Sequence, residues 1–149
     1  MNIHFICRGN VLRSLIAETY LKSLNLPNVN VISSGANVDW SSETERGYFA
    51  NTLALLDKHG IKSYAKSIPD QLTQQRANSQ DITVCMNQRV VDEASSIVVW
   101  PKSVINWNIT DIGEGSRIVK DNREIYEEEI YKEITDKVDE LVMRELASK

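Results

Sequence analysis

Residues 7–14 read CRGNVLRS, directly after the apolar run NIHFIC. A cysteine, a Gly-Asn pair, an arginine and a serine between a strand and a helix make an anion cradle with a nucleophile at its base. A loop in that setting turns backbone N–H groups toward one point, and the helix N-terminus adds positive partial charge. The resulting nest fits a phosphate-sized dianion. Gly9 adopts positive φ without penalty, and Asn10 is among the residues that tolerate it best. Arg13 lies six residues after Cys7. In a curled loop that spacing brings its planar fork over the opening, matched to two phosphate oxygens. Cys7 then sits on the floor, where the positive field favours the nucleophilic thiolate. A hydrogen bond from Ser14 to the sulfur favours it as a leaving group. Arg8, Gly9, Asn10, Val11, Leu12 and Ser14 are the candidate phosphate-binding residues around Cys7 and Arg13. The competing reading is a buried structural cysteine beside a surface arginine. It leaves the turn residues, the following serine and the strand–helix setting unexplained.

The elements that must position this loop follow from periodicity. Residues 2–7 read as a buried strand, and 15–26 as a helix ended by Pro27. A second strand covers 28–35 and stops at Gly35. Residues 42–59 form a helix with Gly60 as a left-handed cap. Strands are predicted at 81–86 and 103–109, with a helix over 89–97 between them. Residues 122–147 form a long amphipathic helix through Tyr126, Ile130, Ile134, Val138, Leu141 and Val142. Strands alternating with helices imply an α/β fold: three layers, a four-stranded parallel sheet with helices on both faces. The stretch 108–121, NITDIGEGSRIVKD, is the longest polar irregular segment, and its two glycines predict flexibility. It follows a strand, and sites in such sheets gather at the carboxyl ends of strands.

Composition narrows the function. The 149 residues suit one domain over 1–149 with its own core. A net charge of −4 argues against a nucleic-acid partner. Two cysteines make no disulfide framework, and two histidines without ligand spacing argue against a metal site. No stretch approaches the roughly 20 apolar residues of a membrane span, and the N-terminus is too short and mixed for a signal peptide. A cytoplasmic protein without membrane association is expected. His4 reads as a core residue and His59 as a helix-end residue. Cys85 reads as a small buried hydrophobe, Tyr126 and Tyr131 as helix packing, Asp81 as structural, and Glu127–Glu129 as a solvated face.

CRGNVLRS resembles the signature of the low-molecular-weight protein tyrosine phosphatases, Cys-x-Gly-Asn-x-x-Arg-Ser. SSGA at 33–36 is similar to that family's turn after the second strand, KHGI at 58–61 to its helix end, and VCM at 84–86 to its third strand. TDIG at 110–113 aligns with its Asp-Pro general-acid loop. The resemblance implies a flavodoxin-like, phosphotyrosine phosphatase I-like fold and hydrolysis of protein phosphotyrosine through a cysteinyl-phosphate, without metal or organic cofactor. It implies Asp111 as general acid, Asn10 and Ser33 as braces of the cradle, and Trp40 as an aromatic wall residue. A tyrosine-phosphorylated protein would be the partner, with phosphate and vanadate as inhibitors. The chain departs from the pattern at Leu12 and Leu15, where the family carries a second cysteine and a proline. It departs again at Ile112 and Gly113, which stand where the family has the acid-loop proline and tyrosine. Arg8 adds a cation at the rim that would favour acidic peptides or a second phosphate. Two other readings share the cradle. One is arsenate reduction with an external thiol donor, with Cys85 where a relay cysteine can lie. The other is a non-catalytic phosphotyrosine binder.

Overall fold

The computed structural model describes residues 1–146, so Ala147, at the end of the predicted last helix, lies outside the described residues. Strands β1 (Asn2–Cys7), β2 (Asn30–Gly35), β3 (Ile82–Cys85) and β4 (Ile105–Asn106) form one parallel sheet in the order β2-β1-β3-β4. Helices α1 (Arg13–Ser23), α2 (Glu43–Lys58), α3 (Gln74–Asn78), α4 (Gln88–Ser95) and α5 (Arg123–Leu141) cover it. Alternation along β1 divides the core. Ile3 and Phe5 face Leu15, Ile16, Leu56, Ile130, Ile134 and Val138 of α1, α2 and α5. Ile6 faces the opposite cluster of Leu72, Ala77, Val90, Ala94 and Val98, on and beside α3 and α4. The result is the α/β three-layer arrangement expected, with a four-stranded parallel sheet between helices. Strand order reverses between β1 and β3, and the crevice at such a switch point is where ligands bind in open parallel sheets. Cys7 is the last residue of β1, at that crevice.

Several elements differ from the sequence reading. Helix α1 begins at Arg13, which places the first turn inside the cradle motif, and it ends at Ser23. Asn25, at φ 51°, turns the chain left-handed and stops the helix before Pro27 can. Strand β4 has two residues because Asn108, at φ 56°, breaks the extended run. The amides of Trp107 and Ile109 still reach Cys85 O and Met86 O across the sheet edge. Helix α3 was not anticipated; it is five residues long, too short for periodicity to register, and is capped by the Thr73 hydroxyl. Gly60, at φ 76°, caps α2 as expected. Glu127 is buried, contrary to the solvated-face reading of 127–129, and burial pushes its carboxyl up. His59 does more than end a helix. Its ring stacks on Tyr131 at 3.8 Å and its Nε2 lies 2.8 Å from Glu128, tying α2 to α5. No helix among the described residues is long and apolar enough to cross a membrane.

His4 is fully buried, with Nε2 2.8 Å from the Ser34 hydroxyl. Burial above all, then the charges of Arg76 and Lys66, lower its pKa from 6.5 to about 3. Between those values the unfolded chain binds a proton that the folded chain does not. The stability from neutral His4 is therefore complete above pH 6.5 and is lost as pH falls through this window. At about 1.4 kcal/mol per pH unit, lowering the pH from 7 to 5 costs about 2 kcal/mol through this group. Urea denaturation at the two pH values should show this loss in the wild type. In His4→Gln the pH-dependent loss should be smaller by about that amount.

Candidate active site

The cradle combines bonds within residues 7–14 with braces from distant parts of the chain. Cys7 Sγ lies 2.9 Å from Ser14 Oγ, and the Asn10 amide donates to the sulfur at 3.2 Å. Asn10 is the left-handed residue of the turn, at φ 57°. Its side-chain amide donates to Ser14 Oγ at 2.7 Å and to Ser33 Oγ at 2.9 Å, and its carbonyl accepts from the Asp70 amide at 2.9 Å. Ser14 Oγ accepts from Asn10 and keeps its own O–H free to donate to the sulfur. The brace expected of Asn10 and Ser33 is thus present as a contact. Gly9 does not adopt positive φ. It matters for space instead, since a Cβ there would lie 3.1 Å from Glu45 Oε1. Leu12 caps α1 without a side-chain hydrogen bond, so the helix opens directly toward the loop. The Thr52 hydroxyl of α2 donates to Val11 O and ties the outer side of the loop to that helix.

The segment after β2 supports the loop from the other side. The amides of Ala36 and Asn37 donate to Cys7 O and Arg8 O at 3.0 and 2.8 Å. Gly35 permits this approach. A Cβ on it would meet Arg8 O at 2.7 Å and Asn10 N at 2.9 Å, both backbone atoms.

Arg13 is 1% exposed, yet its guanidinium reaches the cavity. It donates to Ile109 O at 3.1 Å and to Asp111 Oδ2 at 3.2 Å. The two residues that the sequence placed 98 positions apart therefore meet as an ion pair. Asp111 sits in a loop tied by hydrogen bonds to its neighbours. Gly113 and Gly115 take positive φ to make turns, and the Gly113 amide bonds Arg117 O at 2.7 Å. Glu114 lies within hydrogen-bond reach of the Asp111 amide and Asn87, and pairs with Arg89 at 3.0 Å. Although desolvation opposes it, Arg89 and Arg13 hold the Glu114 carboxyl below its ordinary value. Arg117 is buried; it donates to Thr110 O at 2.7 Å and pairs with Glu133 at 2.7 Å and Glu129 at 3.4 Å on α5.

A cavity of about 500 Å³ brings Cys7, Arg8, Gly9, Val11, Leu12, Arg13 and Asp111 together. Asn10 and Ser14 lie buried behind its floor. Two sequence-predicted residues stand differently from expectation. Trp40 does not line the cavity; it packs edge-on against Phe49 with ring centroids 5.3 Å apart. Arg8 lines the rim, but its charge is held by Glu93 at 2.9 Å. The aromatic residue on the wall is Tyr48, one helical turn after Glu45, with Arg123 over its ring at 4.0 Å. Glu45, Tyr48, Arg117, Lys120 and Arg123 were not anticipated as lining. The one local signal was the pair Glu129 and Glu133, spaced four apart on α5, a ready partner for a cation in the polar loop. Among the described residues no group of three histidine, cysteine or carboxylate side chains is arranged to hold a metal ion.

A family model described as Low molecular weight phosphotyrosine protein phosphatase matches residues 2–149. No curated protein matches the sequence. Several solved structures share the fold. The YwlE arginine phosphatase, known also from a Bacillus subtilis mutant structure, is 21% identical over 100% of both chains, with a TM-score of 0.66. The low molecular weight protein tyrosine phosphatase SP-PTP from Streptococcus pyogenes is 18% identical over 99% of this chain and 97% of that one, with a TM-score of 0.66. The thioredoxin-dependent arsenate reductase of Corynebacterium glutamicum is 22% identical over 99% of this chain and 63% of that one, with a TM-score of 0.67.

The packing at Gly35 makes a direct prediction. Gly35→Ala forces backbone atoms of the loop apart, and overpacking of that kind costs about 1–3 kcal/mol. Urea denaturation should show a loss in that range, and calorimetric titration with inorganic phosphate should show weaker binding than in the wild type.

Proposed function

This chain belongs to the low molecular weight phosphotyrosine protein phosphatase family, and from that premise we propose that it hydrolyses protein phosphotyrosine through a cysteinyl-phosphate. The observation that carries the reading is the shared cavity. It holds a sulfur with two hydrogen-bond donors, a buried guanidinium and a carboxylate on a pinned loop. In the first step Cys7 Sγ attacks phosphorus in line, forming the S–P bond as the P–O bond to the phenol breaks. Arg13 and the loop amides hold the three equatorial oxygens. An incoming dianion takes over the Arg13 fork and releases Asp111 from it. Freed from the guanidinium, the Asp111 carboxylate takes up a proton from solvent and gives it to the departing oxygen. In the second step water attacks phosphorus, Asp111 takes up its proton, and the S–P bond breaks to return the cysteine and inorganic phosphate.

A phenolate leaving group has a conjugate acid near pKa 10, so this proton has a large effect on the barrier. The walls suit a flat ring: Val11, Tyr48, Ile112 and Ile118 supply apolar and aromatic surface around the opening. Thiol relay in arsenate reduction is disfavoured by Cys85, which is fully buried and whose thiol is pushed up to about 12 by that burial. That leaves an external thiol as the second reductant, and arsenite release with added thiols tests it. A phosphotyrosine binder would take up the peptide without releasing phosphate.

Cys7→Ser should abolish release of p-nitrophenol from p-nitrophenyl phosphate, and retained turnover would refute the mechanism. Asp111→Asn should lower kcat on a phosphotyrosyl peptide by about 10²–10⁴-fold. The drop should be smaller on p-nitrophenyl phosphate, whose leaving group needs the proton less. Vanadate and phosphate should compete with substrate in steady-state assays.

A further inference from the structure

The mouth of the cavity carries charge that the proposed chemistry leaves unused. Its arginines are all engaged. Arg8 pairs with Glu93, Arg13 with Asp111, and Arg117 with Glu129 and Glu133. Arg123 lies over the Tyr48 ring and 3.9 Å from Glu127. Lys120 also borders the cavity, is exposed, and has no ion-pair partner among the described residues. On the acidic side Asp111 is held by Arg13, whereas Glu45 borders the cavity with no cation in ion-pair reach among the described residues. Ser42 caps the helix turn that carries Glu45 through its backbone amide, and the carboxylate lies beside Gly9 of the cradle. Burial first, then the neighbouring Asp111, push the Glu45 carboxyl up, although Arg8 and Arg123, both engaged elsewhere, act against the shift from beyond ion-pair reach.

We propose that Lys120 and Glu45 select the residues flanking the phosphorylated side chain, Lys120 taking an acidic residue and Glu45 a basic one. Two unpaired charges of opposite sign, on different elements bordering one opening, recognise a peptide by the direction of its charge pattern and not by its net charge. Ile118 and Val119, 65% and 53% exposed beside Lys120, offer apolar contact to the same peptide segment. The inference rests on the phosphomonoester reading above and names the substrate class within it.

The test uses two phosphotyrosyl peptides of identical composition, with aspartate and lysine exchanged across the phosphotyrosine. One orientation makes two attractive contacts, and the other places like charges together. With exposed pairs of ordinary strength, kcat/KM should differ by about five- to twentyfold between the peptides. The difference should shrink in 0.5 M salt, where charges more than about 4 Å apart are screened. Lys120→Glu alone should reduce the ratio, and Lys120→Glu combined with Glu45→Lys should invert it. Each ratio is internal to one protein, so a change in basal activity cancels. Equal turnover of the two peptides by the wild type would overturn the proposal, as would a ratio that the double exchange leaves unchanged. If neither peptide is cleaved while p-nitrophenyl phosphate is hydrolysed through Cys7, this inference falls and the phosphomonoester chemistry stands. If p-nitrophenyl phosphate is not hydrolysed either, the earlier reading falls and takes this one with it.

Discussion

The cradle depends on one buried amide. Asn10 occupies a backbone conformation that costs most residues energy, and its side chain uses both amide hydrogens and its carbonyl in burial. Those bonds reach Ser14 at the start of α1, Ser33 on β2 and the Asp70 amide in the segment that follows α2. A buried polar side chain left unsatisfied costs about 1–3 kcal/mol per group, so the arrangement is close to all or none. Ser33 is held in turn, since Lys66 and Arg76 both donate to its carbonyl at 2.9 Å. The loop around Cys7 is therefore fixed from the side away from the cavity, where no ligand has to take part.

Arg13 sets the second constraint. A guanidinium 1% exposed cannot be left without partners, because an unpaired buried charge costs about 3–5 kcal/mol. Its partners are Ile109 O and Asp111, both on the segment after β4. Folding the cradle thus draws in the loop that bears the proposed acid. Arg117 and Glu114 then anchor that loop to α5 and to the start of α4. The glycines at 113 and 115 serve this anchoring by turning the chain.

These two constraints explain which features could be read from the sequence. The CRGNVLRS motif was legible because the bonds among Cys7, Asn10 and Ser14 join residues no more than seven apart, although the partners of Asn10 and Arg13 outside the motif lie far off in sequence. The sheet and its main helices were legible because periodicity reports which face of an element is buried. What escaped depends on distant partners. Nothing near Arg8 in sequence says that Glu93 neutralises it, and nothing near Trp40 says that Phe49 draws it away from the cavity. Helix α3 is held by a cap and by packing of Ala77, with too few residues to show a period. Glu45 and Tyr48 lie in a helix whose pattern shows only which side packs on the core, while the cavity is formed where that helix meets the loop.

The departures from the family signature can be weighed on the same terms. A proline in the acid loop restricts φ and rigidifies the turn, and this chain has Ile112 at that place. The restraint comes from elsewhere: the peptide before Asp111 is held at both its groups, Arg117 donating to Thr110 O and the Glu114 carboxylate facing the Asp111 amide. Leu15, where a proline would preset the first helical turn, is fully buried and joins the main core. Side-chain packing there replaces a backbone restriction. In both places a local covalent constraint gives way to long-range contacts, so the geometry around Asp111 depends more on α5 being docked than the loop's own residues would suggest. A change on α5 at Glu133, remote from the cradle in sequence, is thereby coupled to the cavity through Arg117.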